Sequence, residues 1–257
     1  MKILRYDAGS GSSFGVLGDG GEVRVLEGSP FGDFRAGAAV ADVDCLDLLP
    51  PIEPTKVIGV GHNYVSHIEE MDLTQPSFPM LFMKPLAAVI GPGDPIIYPT
   101  QGQQVEYEAE LAVVIGKQAR RVSEGDALDY VLGYTCGNDV SERVIQRAEM
   151  AMGALLVGKG FDTFNPLGPV VATGLDPTDL AVMARVNGVE KQNANTSDLL
   201  FGVAELVSYI SQALVLNPGD VIMSGTPAGV GPIVPGDEVE IEVEGVGVLR
   251  NPVVAEE

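Results

Sequence analysis

Apolar segments of strand length, each closed off by glycine or proline, recur over most of the chain: KVIGV (56–60), MLFMK (80–84), ELAVVIG (110–116), GPVVATG (168–174), DVIMSG (220–225) and GVGVLRNP (245–252). Runs this short, rich in valine and isoleucine, read as strands rather than helices. The 32 glycines and 18 prolines show no fixed period, so they mark turns between short strands and exclude a solenoid repeat. The expected fold is β-rich α+β.

Residues 1–50 read as a small N-terminal β domain, with KILRY (2–6) followed by FGVLGDGGEVRVLE (14–27), whose GDGG is a hairpin signal. LLPPIEP (48–54) is a stiff connection, and residues 54–257 read as one β-dominated domain. Few helices interrupt it. SEGDALDYVL opens with Ser123 as N-cap, and SDLLFGVAELVSYISQAL opens with Ser197 and sets Leu200, Val203, Leu206, Val207 and Ile210 on one face. NYVSHIEEM (63–71) and SERVIQRAEM (141–150) are shorter and more polar, hence better placed to carry chemistry. Residues 62–72 offer little apolar surface and are expected to be poorly ordered without ligand.

Fifteen basic against 36 acidic residues leave a net charge of −21, which argues against nucleic acid and anionic membranes as partners. Cys45 and Cys136 show neither disulfide nor zinc-ligand spacing. The start MKILRYDAGSG lacks a signal-peptide core and no apolar run reaches membrane-span length, so a cytoplasmic protein is expected.

VEYEAELAVVIG (105–116) places Glu106, Glu108 and Glu110 at alternate positions, on one face of a strand. Such acids can be a solvated face or the oxygen ligands of a hard divalent ion, and periodicity alone leaves both open. EVEIEVE (238–244) repeats the pattern and reads as an ordinary half-exposed strand. His67 precedes Glu70 by three residues, so one helical turn makes them neighbours and a candidate general-base pair. His62 has no such acid and reads as structural. GYTCGNDVSERVIQ (133–146) ends a strand in Asn138 and Asp139, with Ser141 or Asp139 as a candidate N-cap. No phosphate loop or GxGxxG fingerprint occurs.

Taken in order, GVGHNYVSHIEE, FMKP, YEAELAVVIG, GYTCGNDVSERVIQ, GKGFDTFNPLGP, NGVEKQN, LNPGDVIMSGTPAGVG and PGDEVEIEVEGVGVLRNPV resemble the fumarylacetoacetate hydrolase family from about residue 54 almost to the end. The resemblance implies a mixed β-sandwich roll and a homodimer. It implies Glu108, Glu110 and Asp139 as ligands of Mg²⁺, or Mn²⁺ or Ca²⁺, with Lys84 supporting them. It also implies His67 with Glu70 as base, Arg143, Gln146 and Thr226 as substrate-binding groups, and Lys159 as oxyanion stabiliser. Glu106 receives no role. The implied reaction on a small anionic 2-oxo acid is hydrolytic C–C cleavage of a 2,4-dioxo acid, an acylpyruvate or fumarylpyruvate. The alternatives are isomerisation of a 2-hydroxy-2,4-dienedioate, oxaloacetate decarboxylation, or a non-catalytic metal-stabilised binding protein. Two departures stand out: Val144 where many members have Asp, and Gly160 where many have Ser.

Overall fold

The computed structural model describes residues 1–257. A long mixed sheet runs from Phe34–Asp42 through Glu22–Gly28, Ser12–Leu17, Lys2–Asp7, Asn165–Ala172, Val131–Asn138, Ala109–Ile115, Val221–Met223 and Val57–Gly61 to the edge strand Met80–Lys84. The first four strands of the chain form an antiparallel meander that continues this sheet, because Lys2 and Ile3 pair with Ala172 and Val171. A second sheet orders Val189–Asn195, Ala181–Val186, Glu238–Val243, Gly247–Ala255 and Ile96–Tyr98.

The two sheets share one core. Leu111, Val113 and Ile115 of the long sheet and Val182, Ala184, Ile241 and Val243 of the second belong to the same buried cluster. Every residue of Ala109–Ile115 is buried, which accounts for its unbroken apolar run after Glu110. In Glu238–Val243 the valines and isoleucine point inward, while Glu240 and Glu242 meet Arg250 and Arg185. That is the half-exposed strand the alternation predicts. The architecture is the expected mixed β-sandwich with few helices.

The helices differ from the sequence reading at their ends. Helix α1 is Val65–Glu70, α2 is Arg143–Ala151, α3 is Val157–Gly160 and α4 is Val203–Ala213. The segment from Ser123 forms a 3₁₀ helix, Glu124–Tyr130. Helix α4 starts six residues after Ser197: Asn63 draws the intervening chain away by accepting the Leu200 amide on its carbonyl and the Phe201 amide on its side chain, at 2.8 and 2.9 Å. Neither Ser141 nor Asp139 caps α2. Glu142 does, its side chain accepting the Ile145 amide at 2.6 Å, because Ser141 and Glu142 pair with Glu106 and Val105.

Candidate active site

The acid strand is interrupted at Glu108. Val105–Tyr107 bends away to pair with Ser141–Glu142 and Gly231–Pro232, while Ala109–Ile115 stays in the long sheet. Ala109 pairs with Asn138 and Glu110 with Gly137, and beyond them the Asp139 amide donates to the Glu108 carbonyl at 3.0 Å. Asn138 Oδ1 accepts the Glu108 amide, also at 3.0 Å. Antiparallel register thus delivers Glu108, Glu110 and Asp139 to one hollow. One carboxylate oxygen from each lies within 4.8 Å of the others, and all three are buried.

Three buried cations enter the same hollow. Lys84, from the edge strand, donates to Asp139 Oδ1 and to the Val140 carbonyl. Lys159, in α3, donates to Glu108 Oε2 at 2.7 Å and Asp139 Oδ2 at 2.6 Å. Arg143, the first residue of α2, donates through Nε to Glu106 Oε2 at 2.6 Å and through Nη1 to Gln146 Oε1 at 2.8 Å. Its Nη2 stands 2.6 Å from Glu108 Oε1 as an ion pair, without an aligned hydrogen bond. Glu106 is therefore neither solvated nor idle: it is buried and holds Arg143. Arg143 does not lack a partner for want of an acid at Val144, since the acid strand supplies two. Gly160 has its own reason, because a Cβ there would stand 3.0 Å from both Cγ and Cδ of Pro85.

The charges do not balance. Glu106, Glu108, Glu110 and Asp139 face only Lys84, Arg143 and Lys159, so one negative charge is in excess. It falls on Glu110, whose polar partner is the Gly225 amide at 2.7 Å. Burial, then Asp139 and Glu108, push the Glu110 carboxyl well above its ordinary range. Burial acts the same way on Glu108, but Lys159 and Arg143 overcome it and hold that carboxylate well below. Lys84 is lowered by burial against the pull of Asp139, while Asp139 and Glu108 outweigh burial and raise Lys159. Three carboxylate donors with a missing positive charge fit a hard divalent ion, which takes oxygen ligands.

Helix α1 closes one side. Its start is anchored by Asn63, whose Nδ2 donates to the carbonyls of Phe201 and Ser224 at 3.0 and 2.7 Å, and by Tyr64 and Ile68, both fully buried. The segment thus has more apolar anchorage than its polar sequence indicates. His67 Nδ1 lies 3.1 Å from Glu70 Oε2, and Glu70 Oε1 accepts the Gly229 amide at 3.0 Å. Thr226 sits in the loop after Val221–Met223, where Gln192 donates to its hydroxyl and to the Pro227 carbonyl, each at 2.8 Å. Gln192, within NGVEKQN, is a buried member of the site that the sequence motifs do not single out. Its buried neighbours lie far off in the chain, so no local spacing marks it.

A cavity of about 590 Å³ joins these groups; His67, Glu108, Glu110, Asp139, Arg143, Gln146, Lys159 and Thr226 all line it. Glu70 reaches it through His67. His62, read as structural, also lines it, from a left-handed backbone position with φ 53°. Met71, Leu73, Met80, Leu81 and Met150 line it as well.

A family profile described as fumarylacetoacetate (FAA) hydrolase C-terminal matches residues 56–254, and one described as Rv2993c-like, N-terminal, matches residues 1–51. The chain belongs to the fumarylacetoacetate hydrolase family. A crystal structure of 5-carboxymethyl-2-hydroxymuconate delta-isomerase from Mycobacterium smegmatis superposes with a TM-score of 0.92 at 42% identity, covering 100% of both chains. Fumarylpyruvate hydrolase from Pseudomonas aeruginosa, in complex with Mn²⁺ and pyruvate, gives 0.76 at 33% identity over 82% of this chain and 92% of that one. The mitochondrial oxaloacetate tautomerase fahd2 of Xenopus laevis is 44% identical over 220 residues, 81% of this chain and 69% of that protein. Fumarylacetoacetate hydrolase family members of this kind are enzymes, and so is this chain; the non-catalytic alternative drops out. No helix in it is long and apolar enough to cross a membrane.

Proposed function

We propose that this chain is a divalent-metal-dependent hydrolase that cleaves the C3–C4 bond of a small 2,4-dioxo acid, of acylpyruvate or fumarylpyruvate type, to pyruvate and a carboxylic acid. One observation carries the reading: the His67–Glu70 pair opens into the same cavity as the buried acidic trio. Glu108, Glu110 and Asp139 would hold the ion, with Mg²⁺ the proposed choice and Mn²⁺ or Ca²⁺ the alternatives; when bound it would supply Lewis-acid polarisation of the 2-oxo acid.

The chain's own residues account for the remaining steps. With Nδ1 held by Glu70, His67 presents Nε2 as the base that takes a proton from water. The hydroxide adds to C4, the C3–C4 bond breaks, and its electron pair passes to the pyruvate enolate. That enolate takes the proton back from His67 at C3. Lys159 has three N–H donors and spends two on Glu108 and Asp139, so one remains for the oxyanion at C4. Arg143, Gln146 and Thr226 bind and orient the anionic substrate. A divalent ion bound by the trio would turn the excess negative charge of the acid cluster into a net positive one, which supports a small acid as substrate.

A second reading is favoured by the names of similar proteins: keto–enol or double-bond isomerisation, which needs the proton shuttle of His67 but no attacking water. The deciding experiment offers acetylpyruvate, fumarylpyruvate, enol-oxaloacetate and a 2-hydroxy-2,4-dienedioate to the Mg²⁺-loaded enzyme. Pyruvate and acid released one for one support the hydrolase. Faster enol decay without pyruvate sinks it and leaves the tautomerase. A homodimer is proposed as well, supported by the edge strand Met80–Lys84, which exposes Met80, Leu81 and Met83. Two free cysteines, one exposed and one buried, support a cytoplasmic setting.

A further inference from the structure

Lys159 touches two carboxylates of the trio, yet it stands on a helix of only four residues, Val157–Gly160. So short a helix has too few internal hydrogen bonds to hold its own shape. The chain before it gives little support: Met152, Gly153, Ala154 and Leu156 are exposed, and Gly153 turns at φ 76°.

Three backbone amides at the start of α3 converge instead on one side chain. Glu149 accepts the amides of Leu156, Val157 and Gly158 at 3.2, 2.8 and 2.9 Å. These bonds outweigh the effect of burial and lower the Glu149 pKa, which keeps the carboxylate ionised. A second observation is independent of it. A Cβ at Gly158 would lie 2.6 Å from the backbone nitrogen of Gln146 and 2.7 Å from its Cα, so α3 meets α2 backbone to backbone, and only glycine allows it.

We propose that Glu149 is the positioning residue for Lys159. It lies in α2 with Arg143 and Gln146, and it clamps to that helix the turn that carries Lys159. The two cations then close on opposite oxygens of Glu108, with Arg143 on Oε1 and Lys159 on Oε2. The placement stands on the geometry alone, whereas its catalytic value rests on the function proposed above.

The test is limited acetylation of the full-length chain in Mg²⁺ buffer with acetic anhydride, read by mass spectrometry at Lys159 and Lys84. Both lysines are buried and both bind Asp139, but Lys84 belongs to the edge strand and serves as the internal control. Glu149→Ala should raise acetylation of Lys159 by about tenfold, the scale on which loss of a capping acceptor shifts a local opening equilibrium. Lys84 should stay at the parent level. Glu149→Gln, which keeps one carbonyl acceptor, should fall between. Unchanged protection of Lys159 in Glu149→Ala overturns the proposal; so does Lys84 rising in step with Lys159, which makes Glu149 a support of the whole fold. A parent that turns over none of the 2-oxo acids sinks the hydrolase reading while leaving this labelling contrast intact.

Discussion

Replacing Glu110 with glutamine removes the one carboxylate of the trio that has no cation of its own. Glu108 meets Arg143 and Lys159, and Asp139 meets Lys84 and Lys159, but Glu110 has only the Gly225 amide. Its raised pKa means that the metal-free fold holds a proton there above the ordinary value of 4.5. A raised carboxyl pKa contributes stability that is complete below 4.5 and is lost as pH rises through the folded value. A divalent ion must displace that proton, so its apparent affinity should rise about tenfold per pH unit below the folded pKa and level off above it. Each such unit is about 1.4 kcal/mol, or roughly 3 °C of melting temperature for a chain of this length, with Mg²⁺ above its apparent dissociation constant. Melting should be followed with Mg²⁺ and with EDTA from about pH 5 to about pH 8, alongside titration calorimetry in buffers of different ionisation enthalpy. The Mg²⁺ increment should grow with pH, with proton release, and Glu110→Gln should lose both the pH dependence and most of the increment. An increment that stays flat over this range in the parent, with no protons released, would refute the reasoning.

His67→Ala should keep Mg²⁺ and oxalate affinity but lower acylpyruvate hydrolysis by about 100-fold, measured as pyruvate release, with Glu70→Gln falling less. Lys84→Met removes one partner of a fully buried ion pair, so urea denaturation should show a loss of about 3 kcal/mol. Gly225→Ala places a Cβ 2.8 Å from Asn63 Cβ at a backbone φ of 102°; it should cost about 1–3 kcal/mol and weaken Mg²⁺ binding by displacing the amide that holds Glu110.

What could be read from the sequence follows how far apart the interacting residues are. The strands, the alternation of Glu238–Val243 and the His67–Glu70 pair rest on periods of two and three residues, which covalent geometry imposes wherever the chain runs. The ends of α2 and α4 differ from what local spacing indicates because their caps are decided by distant groups, a strand partner for Glu142 and Asn63 for the residues before Val203. The same reason hid Glu106. Alternation places it on the face of Glu108, but its partner Arg143 lies 37 residues on and reaches it only because Val105–Tyr107 leaves the long sheet to pair beside α2. Once that pairing is known, the missing acid at position 144 ceases to be a defect. A carboxylate carried by α2 would move with the helix, whereas Glu106 ties Arg143 to the strand that also bears Glu108. The guanidinium is thereby fixed relative to the acidic trio rather than to its own helix. Glu149 then ties Lys159 to α2, so both cations that grip Glu108 take their position, directly or through Arg143, from the acid strand.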